Sequence, residues 1–185
     1  MRYIMIRAAL MILFFNSISF AQFYVKGNLD MGGKFELSYQ GESEDVDVKN
    51  GINIGAEFLS RTKPIAFGGG AEIQIPRALK GSSEKFNFIP IYGTIRARLS
   101  ADENHPYLAA RLGYNLFQAN SEFTGGGELD LTGGLFTAIG IGFETKMVFV
   151  ELGYSINNGG VEIFGEELDA EYSRLTIGLG VKLNQ

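Results

Sequence analysis

The chain contains no cysteine, only four prolines and a single histidine in its 185 residues. Without cysteine there is no disulfide framework, no thiolate nucleophile and no N-terminal lipid attachment site. One histidine, His105, cannot supply the ligand spacing of a zinc site. Basic residues are also scarce, with 16 Lys and Arg against 21 Asp and Glu. Polyanion binding needs a basic patch, and none is visible, so nucleic acid is not an expected partner. After residue 21 no apolar run approaches the roughly 20 residues of a transmembrane helix. Any segment that spans a membrane must therefore do so as a strand.

What is present begins with a processing signal. Arg2 and Arg7 form a basic start, residues 8–15 are apolar, and Ser19-Phe20-Ala21 supplies small residues around a cleavage point. Asn16 and Ser17 interrupt the apolar run, which makes it a poor spanning helix. The expected division is a cleaved signal peptide over 1–21 and one domain over 22–185, exported to a bacterial envelope. Loss of Arg2 and Arg7 makes the formal charge of −5 more acidic still.

The remaining chain alternates. Near the C-terminus Leu175, Ile177, Leu179, Val181 and Leu183 occupy every second position, with Thr176, Gly178, Gly180 and Lys182 between them. Successive side chains of a strand point to opposite faces, so one face is greasy and the other small or polar. The same parity predicts strands near 22–40, 51–60, 65–75, 86–100, 107–118, 133–144 and 147–156, with the C-terminal segment as the eighth. In the first of these the parity runs unbroken, and Gly32-Gly33 is where a bend or bulge fits. No helical periodicity competes. Polar stretches at 41–50, 76–85, 119–132 and 157–171 read as long loops, and those at 60–64, 101–106 and 145–146 as short turns.

That long–short rhythm matches an even-stranded outer-membrane barrel with long extracellular loops and short periplasmic turns. If the first strand runs upward, Phe23, Phe58, Phe67 and Phe143 gather at the periplasmic end of the lipid face. Tyr39, Tyr114 and Tyr154 gather at the opposite end. The two sets form a pair of aromatic girdles. The fold class predicted is all-β, an eight-stranded antiparallel up-and-down transmembrane barrel. A soluble lipocalin-like barrel is the alternative, but it would turn its apolar face inward around a ligand.

In this pattern the chain resembles the small eight-stranded outer-membrane β-barrel proteins, the group that includes outer membrane protein X and the membrane domain of outer membrane protein A. The resemblance covers the mature chain and is one of pattern, without a diagnostic motif. It implies outer-membrane lipid, lipopolysaccharide and the barrel assembly machinery as partners, and a monomer. Such barrels commonly end in an aromatic residue read by that machinery, whereas this chain ends Lys182-Leu183-Asn184-Gln185. No periplasmic domain is expected after the barrel, so the resemblance does not imply peptidoglycan binding by such a domain.

The inward face collects Lys26, Asp30, Lys34, Glu36, Glu57, Glu72, Arg96, Arg98, Arg111, Glu144, Glu151, Arg174 and Lys182. Eight strands leave an interior only just wide enough for side chains to fill. Paired charges with bidentate Arg geometry are tolerable there, so the expectation is a salt-bridge network that plugs the lumen. A narrow ion path through rearranging Arg–Glu pairs is the sharper alternative. The clusters Gly68-Gly69-Gly70, Gly125-Gly126-Gly127 and Gly140-Ile141-Gly142 precede no helix and lack the Lys-Ser/Thr tail of a phosphate loop. Glu42, Glu44, Asp45, Asp47, Glu122, Glu128, Asp130, Glu162, Glu166, Glu167 and Asp169 make the loops acidic. Carboxylates suit calcium, but Asp45-Val46-Asp47 lacks a full binding loop. His105 falls in a short periplasmic turn, the wrong end for a Ser–His hydrolase of the outer membrane. The expectation is therefore a non-enzyme with no cofactor and no catalytic or metal residues. Its role would be structural or adhesion-like, through acidic loops that meet an external partner. A low-conductance pore and a lipid-modifying enzyme are the alternatives.

Overall fold

The computed structural model describes residues 21–183, apart from residue 61 and residues 121–129 and 164–165. The expected signal peptide and the glycine run at 125–127 therefore lie outside the described residues. Ten strands follow in order: β1 (Ala21–Tyr39), β2 (Glu42–Asp47), β3 (Gly51–Ser60), β4 (Ile65–Gln74), β5 (Arg77–Ala78), β6 (Lys85–Arg98), β7 (His105–Ala119), β8 (Asp130–Glu144), β9 (Val148–Ile163) and β10 (Glu166–Lys182). Eight of them are barrel staves. β1, β3, β4, β6, β7, β8, β9 and β10 pair with their neighbours in that order, all antiparallel, and β10 returns to β1 to close the wall. Closure leaves no unpaired sheet edge along the staves, which is what allows strands to cross lipid.

The outer surface is apolar through the middle of every stave. From Leu108 to Leu116, β7 turns Leu108, Ala110, Leu112, Tyr114 and Leu116 outward, before Gln118 follows. That length fits the roughly 9–11 tilted residues that cross a bilayer core. Ile139 and Leu179 are 65% and 66% exposed, and the belt they belong to is far larger than any apolar patch a soluble monomer tolerates. Chain entry at Ala21, the last strand residue Lys182 and the short turns all lie at one end. By the rules of outer-membrane barrels this end is periplasmic.

At the other end the structure departs from the sequence expectation. The stretches expected as long loops are partly wall. β9 and β10 run on to Ile163 and back from Glu166, so 157–163 and 166–171 extend the pair. β2 pairs with the upper half of β1, and β5 pairs with the top of β6. Val48 bridges to Leu79, the Lys49 amide donates to the Ala78 carbonyl at 3.0 Å, and the Lys80 amide donates to the Asp47 carbonyl at 2.8 Å. Thus β2 and β5 fill the wall above β3 and β4, which are only 10 residues long. The barrel continues as a second storey beyond the lipid belt.

A bulge in β1 sets the boundary between the storeys. The register with β10 shifts between Met31 and Lys34, and Gly32 there has φ +59°. Glycine adopts this left-handed conformation without a Cβ penalty. A Cβ on Gly33 would stand 2.7 Å from the Tyr172 ring. The expected unbroken parity therefore fails here. Phe35 turns inward and is buried, while Lys34 turns outward. A second register shift separates Gly133 from Phe136 in β8.

Candidate functional site

Among the described residues the interior is where ionisable groups are concentrated out of water, and it is organised in tiers. At the periplasmic floor Tyr24, Leu59, Ala66, Tyr107, Ala109 and Phe149 form a buried cluster. The Arg96 guanidinium lies over this floor, 4.7 Å from the Tyr24 ring centre and 4.3 Å from that of Tyr107. It donates to Glu144 at 2.9 Å and to Glu57 at 3.1 Å, and Lys182 also binds Glu144 at 2.8 Å.

The middle tier is centred on Glu57, which is 1% exposed. Its carboxylate accepts Arg111 Nε at 2.8 Å, Lys26 Nζ at 3.1 Å and the Tyr92 hydroxyl at 2.9 Å, besides Arg96. Arg111 spans to Glu151 at 2.8 Å, and Tyr107 donates to the same carboxylate at 3.0 Å. Lys26 reaches Glu72 at 2.6 Å. Inward glycines leave room for these long side chains: a Cβ on Gly55 would stand 2.8 Å from the Glu72 side chain.

Above it, Asp30 takes both Arg174, at 3.2 Å, and Arg77. Asn53 donates to Asp30 at 2.9 Å, and Arg77 donates to Gln74 at 2.9 Å. The second storey is then filled by aromatics. Phe88 stacks on Phe117 at 4.5 Å, Phe86 meets Tyr172 edge-on at 5.1 Å, and Phe35 lies 4.6 Å from Phe86. Val48, Leu79, Val161 and Ala170 complete this cap.

The charges nearly cancel. Lys26, Arg77, Arg96, Arg111, Arg174 and Lys182 face Asp30, Glu57, Glu72, Glu144 and Glu151, and every one of these side chains has an opposite charge within 4 Å. Unpaired, each would be costly to bury; paired and hydrogen-bonded, each is tolerated. A cavity of about 20 Å³ among Lys26, Glu72, Arg111, Glu151, Ser155 and Arg174 has room for about one water molecule. Chemically, such an arrangement can block a passage and hold the staves in register.

Of the thirteen charges expected on the inward face, Lys26, Asp30, Glu57, Glu72, Arg96, Arg111, Glu144, Glu151, Arg174 and Lys182 come together. Three others do not. Lys34 lies on the outer face of the upper storey and pairs with Asp45 at 2.6 Å, because the bulge moved it out. Glu36 follows Lys34 in parity, and its contact is Ser38, which donates to it at 3.3 Å. Arg98 sits half-buried at the periplasmic mouth, one turn of the pleat below Arg96, and forms no ion pair among the described residues. Arg77 was missed, since it stands in a stretch that reads as loop. So was the aromatic cap, because Phe86, Phe88, Phe117 and Tyr172 occupy the parity that elsewhere is polar.

Phe23, Phe58, Phe67 and Phe143 are all exposed on the outer face at the short-turn end, with Phe23 directly opposite Phe58. Tyr114 and Tyr154 are exposed on the same face further up. Tyr39 is not among them; after the bulge it shares the inward parity of Phe35 and Leu37 and is half-buried. His105 is not a turn residue either. It opens β7, is buried, and its Nδ1 lies 3.1 Å from the carbonyl oxygens of Asp102 and Glu103. Among the described residues no three acidic or histidine side chains converge on a cation site.

A closed barrel of eight antiparallel strands, apolar outside and charged inside, is a bacterial outer-membrane β-barrel. No protein-family model and no curated protein matches the chain. Solved structures do. Neisserial surface protein A is similar at 20% identity and a TM-score of 0.54, over 88% of this chain and 99% of that one. AlkL, solved by solid-state NMR in lipid bilayers, is similar at 11% identity and a TM-score of 0.53, over 89% and 91%. Ail, the attachment invasion locus protein of Yersinia pestis, was solved with the heparin analogue sucrose octasulfate. It is similar at 12% identity and a TM-score of 0.51, over 88% and 99%. All three are small outer-membrane barrels, and the likeness is one of fold.

Proposed function

We propose that this protein is a closed, non-conducting outer-membrane barrel that acts through its extracellular storey, in a structural or adhesion-like role. The observation that carries the reading is the double seal of the lumen: a paired charge network within the lipid belt, and an aromatic cap above it. Paired side chains and stacked rings fill both tiers, and the one cavity found among the lumenal charges has room for about one water, which supports a sealed barrel over the pore alternative. Each buried carboxylate is paired with at least one cation, which counts against acid–base catalysis in the lumen, because a catalytic group must reach a substrate.

The working surface is then the outside of the upper storey. There Asp45 and Asp47 from the β2 strand, each beside a lysine, and Asp169 and Glu162 from the β9–β10 hairpin face water, while Glu42 and Glu44 are exposed on the Val46 side of β2. A surface of this sign suits a cationic or neutral partner and repels polyanions. Lipopolysaccharide surrounds it laterally, and the assembly machinery inserts it.

Planar-bilayer recording tests the seal. Protein reconstituted at high amounts is expected to leave the membrane silent at both polarities. Reproducible unitary steps from the folded, heat-modifiable species would overturn the reading.

A further inference from the structure

At the periplasmic end the turn after β3 meets the turn after β6. The Arg98 amide donates to the Pro64 carbonyl oxygen at 2.9 Å, which ties the two turns together. A depression opens on each side of this tie. One, of about 440 Å³, lies at the mouth of the lumen and is lined by Gln22, Lys63, Arg98, Glu103, Lys146 and Lys182, with His105 beside them. The other, of about 420 Å³, is lined by Lys63, Pro64, Arg98, Leu99, Ser100 and Ala101. Lys63 and Arg98 belong to both.

The charges around this rim do not cancel as they do inside. Lys182 is taken by Glu144 at 2.8 Å, and Lys146 lies 4.0 Å from Glu103. Asp102 accepts from the Ser100 hydroxyl. Lys63 and Arg98 are left with no hydrogen bond or ion pair to a side chain among the described residues. Two cations without an ion pair thus line the same two depressions. Next to them are exposed apolar residues of the lipid belt, Leu99 at 53% and Ile65 at 53%.

We propose that this rim binds an anionic phospholipid of the periplasmic leaflet, with its phosphodiester between Lys63 and Arg98. A guanidinium presents paired N–H donors that match two phosphate oxygens, and a lysine adds a compact charge. The glycerol and first methylenes then lie against Pro64, Leu99 and Ala101, on the side open to lipid. Asp102 keeps its charge beneath the Ser100 hydroxyl, yet the rim remains net positive, which favours a lipid of net negative charge over one whose own ammonium group cancels the phosphate. Seated there, the headgroup also borders the lumen mouth that Arg98 lines.

The test uses the refolded protein in detergent micelles, offered phosphatidylglycerol or phosphatidylcholine, with retained lipid counted by native mass spectrometry. Phosphatidylglycerol is expected to be retained at least about fivefold better, and its affinity to fall about fivefold for each cation removed in Lys63→Gln and Arg98→Gln. Lys34→Gln with Lys80→Gln, two cations at the opposite end, should leave retention unchanged. Equal retention of both lipids, or unchanged preference in the double variant, would overturn the proposal. Displacement of phosphatidylglycerol by millimolar sodium phosphate would reassign the rim to a free anion and overturn it equally. Lys63→Gln alone, in an exposed turn, decides the matter should the double variant not refold.

Discussion

Arg111 and Glu57, 54 residues apart in the chain, face each other across the barrel interior with Nε 2.8 Å from Oε1. Glu57 also holds Lys26 and Arg96, so one carboxylate neutralises three cations from three different staves. Removing it strips each of those buried cations of one of its two carboxylates, leaving Lys26 to Glu72, Arg96 to Glu144 and Arg111 to Glu151. Glu57→Gln is expected to lower unfolding stability by about 3–5 kcal/mol, the usual cost of breaking a buried pair from one side. Urea titration followed by heat-modifiable migration measures it, and an unchanged midpoint would count against the network as a structural element.

Arg96 and Arg98 are neighbours on one face of β6 with opposite consequences. Arg96 bridges Glu144 and Glu57 in the interior, whereas Arg98 is half-buried without an ion pair. Arg96→Ala is expected to cost about 3–5 kcal/mol and Arg98→Ala less than about 1 kcal/mol. Comparable losses in the two variants would show that the mouth and the interior act as one unit.

The proposed seal has two separate parts, the aromatic cap and the charge tiers. Phe88→Ala removes a ring stacked on Phe117 and is expected to cost about 3–5 kcal/mol. It should nevertheless leave a planar bilayer silent, because the pairs around Glu57 and Asp30 lie below it. Channel activity in this variant alone would make the cap the sole barrier.

Outside the lipid belt, Lys34 holds the Asp45 carboxyl below the usual aspartate range, chiefly through their hydrogen bond and then by charge attraction. A depressed folded value means that the pair stabilises the native state above the ordinary aspartate pKa, and that this contribution fades as pH falls through the lowered one. Both side chains are well exposed, so the effect on stability is small and screened by salt. NMR titration should find Asp45 returning toward its ordinary value in Lys34→Gln. A curve that stays put would show that the pair is not formed in solution.

The lipid-facing half of the fold was legible because it obeys one rule, apolar at alternate positions, over every stave. Ile52 to Phe58 and Leu175 to Val181 need nothing from elsewhere in the chain to be read. Ten expected lumenal charges found each other for the same reason, since parity alone carries Lys26, Asp30, Glu57, Glu72, Arg96, Arg111, Glu144, Glu151, Arg174 and Lys182 inward. Parity could not locate Lys34, Glu36 or Tyr39. The slip at Gly32 depends on how β1 meets β10, and a glycine pair in the sequence is equally compatible with an unbroken strand. Arg77 and β5 were illegible too, because a two-residue strand is defined by its partner, here Lys85 and Phe86, and carries no periodicity of its own.

The bulge between Met31 and Lys34 makes one wall serve two opposite solvents. Below it the protein is inside-out, ionic within and greasy without. Above it Phe35, Phe86 and Tyr172 are enclosed while Lys34, Asp47 and Asp169 meet water, as in any water-soluble domain. The upper storey therefore answers to the constraints of a small globular protein, whose exterior can change residue by residue without touching what anchors it. Selection acting on the outside of the cell can rewrite that exterior freely, and the membrane half need never register the change.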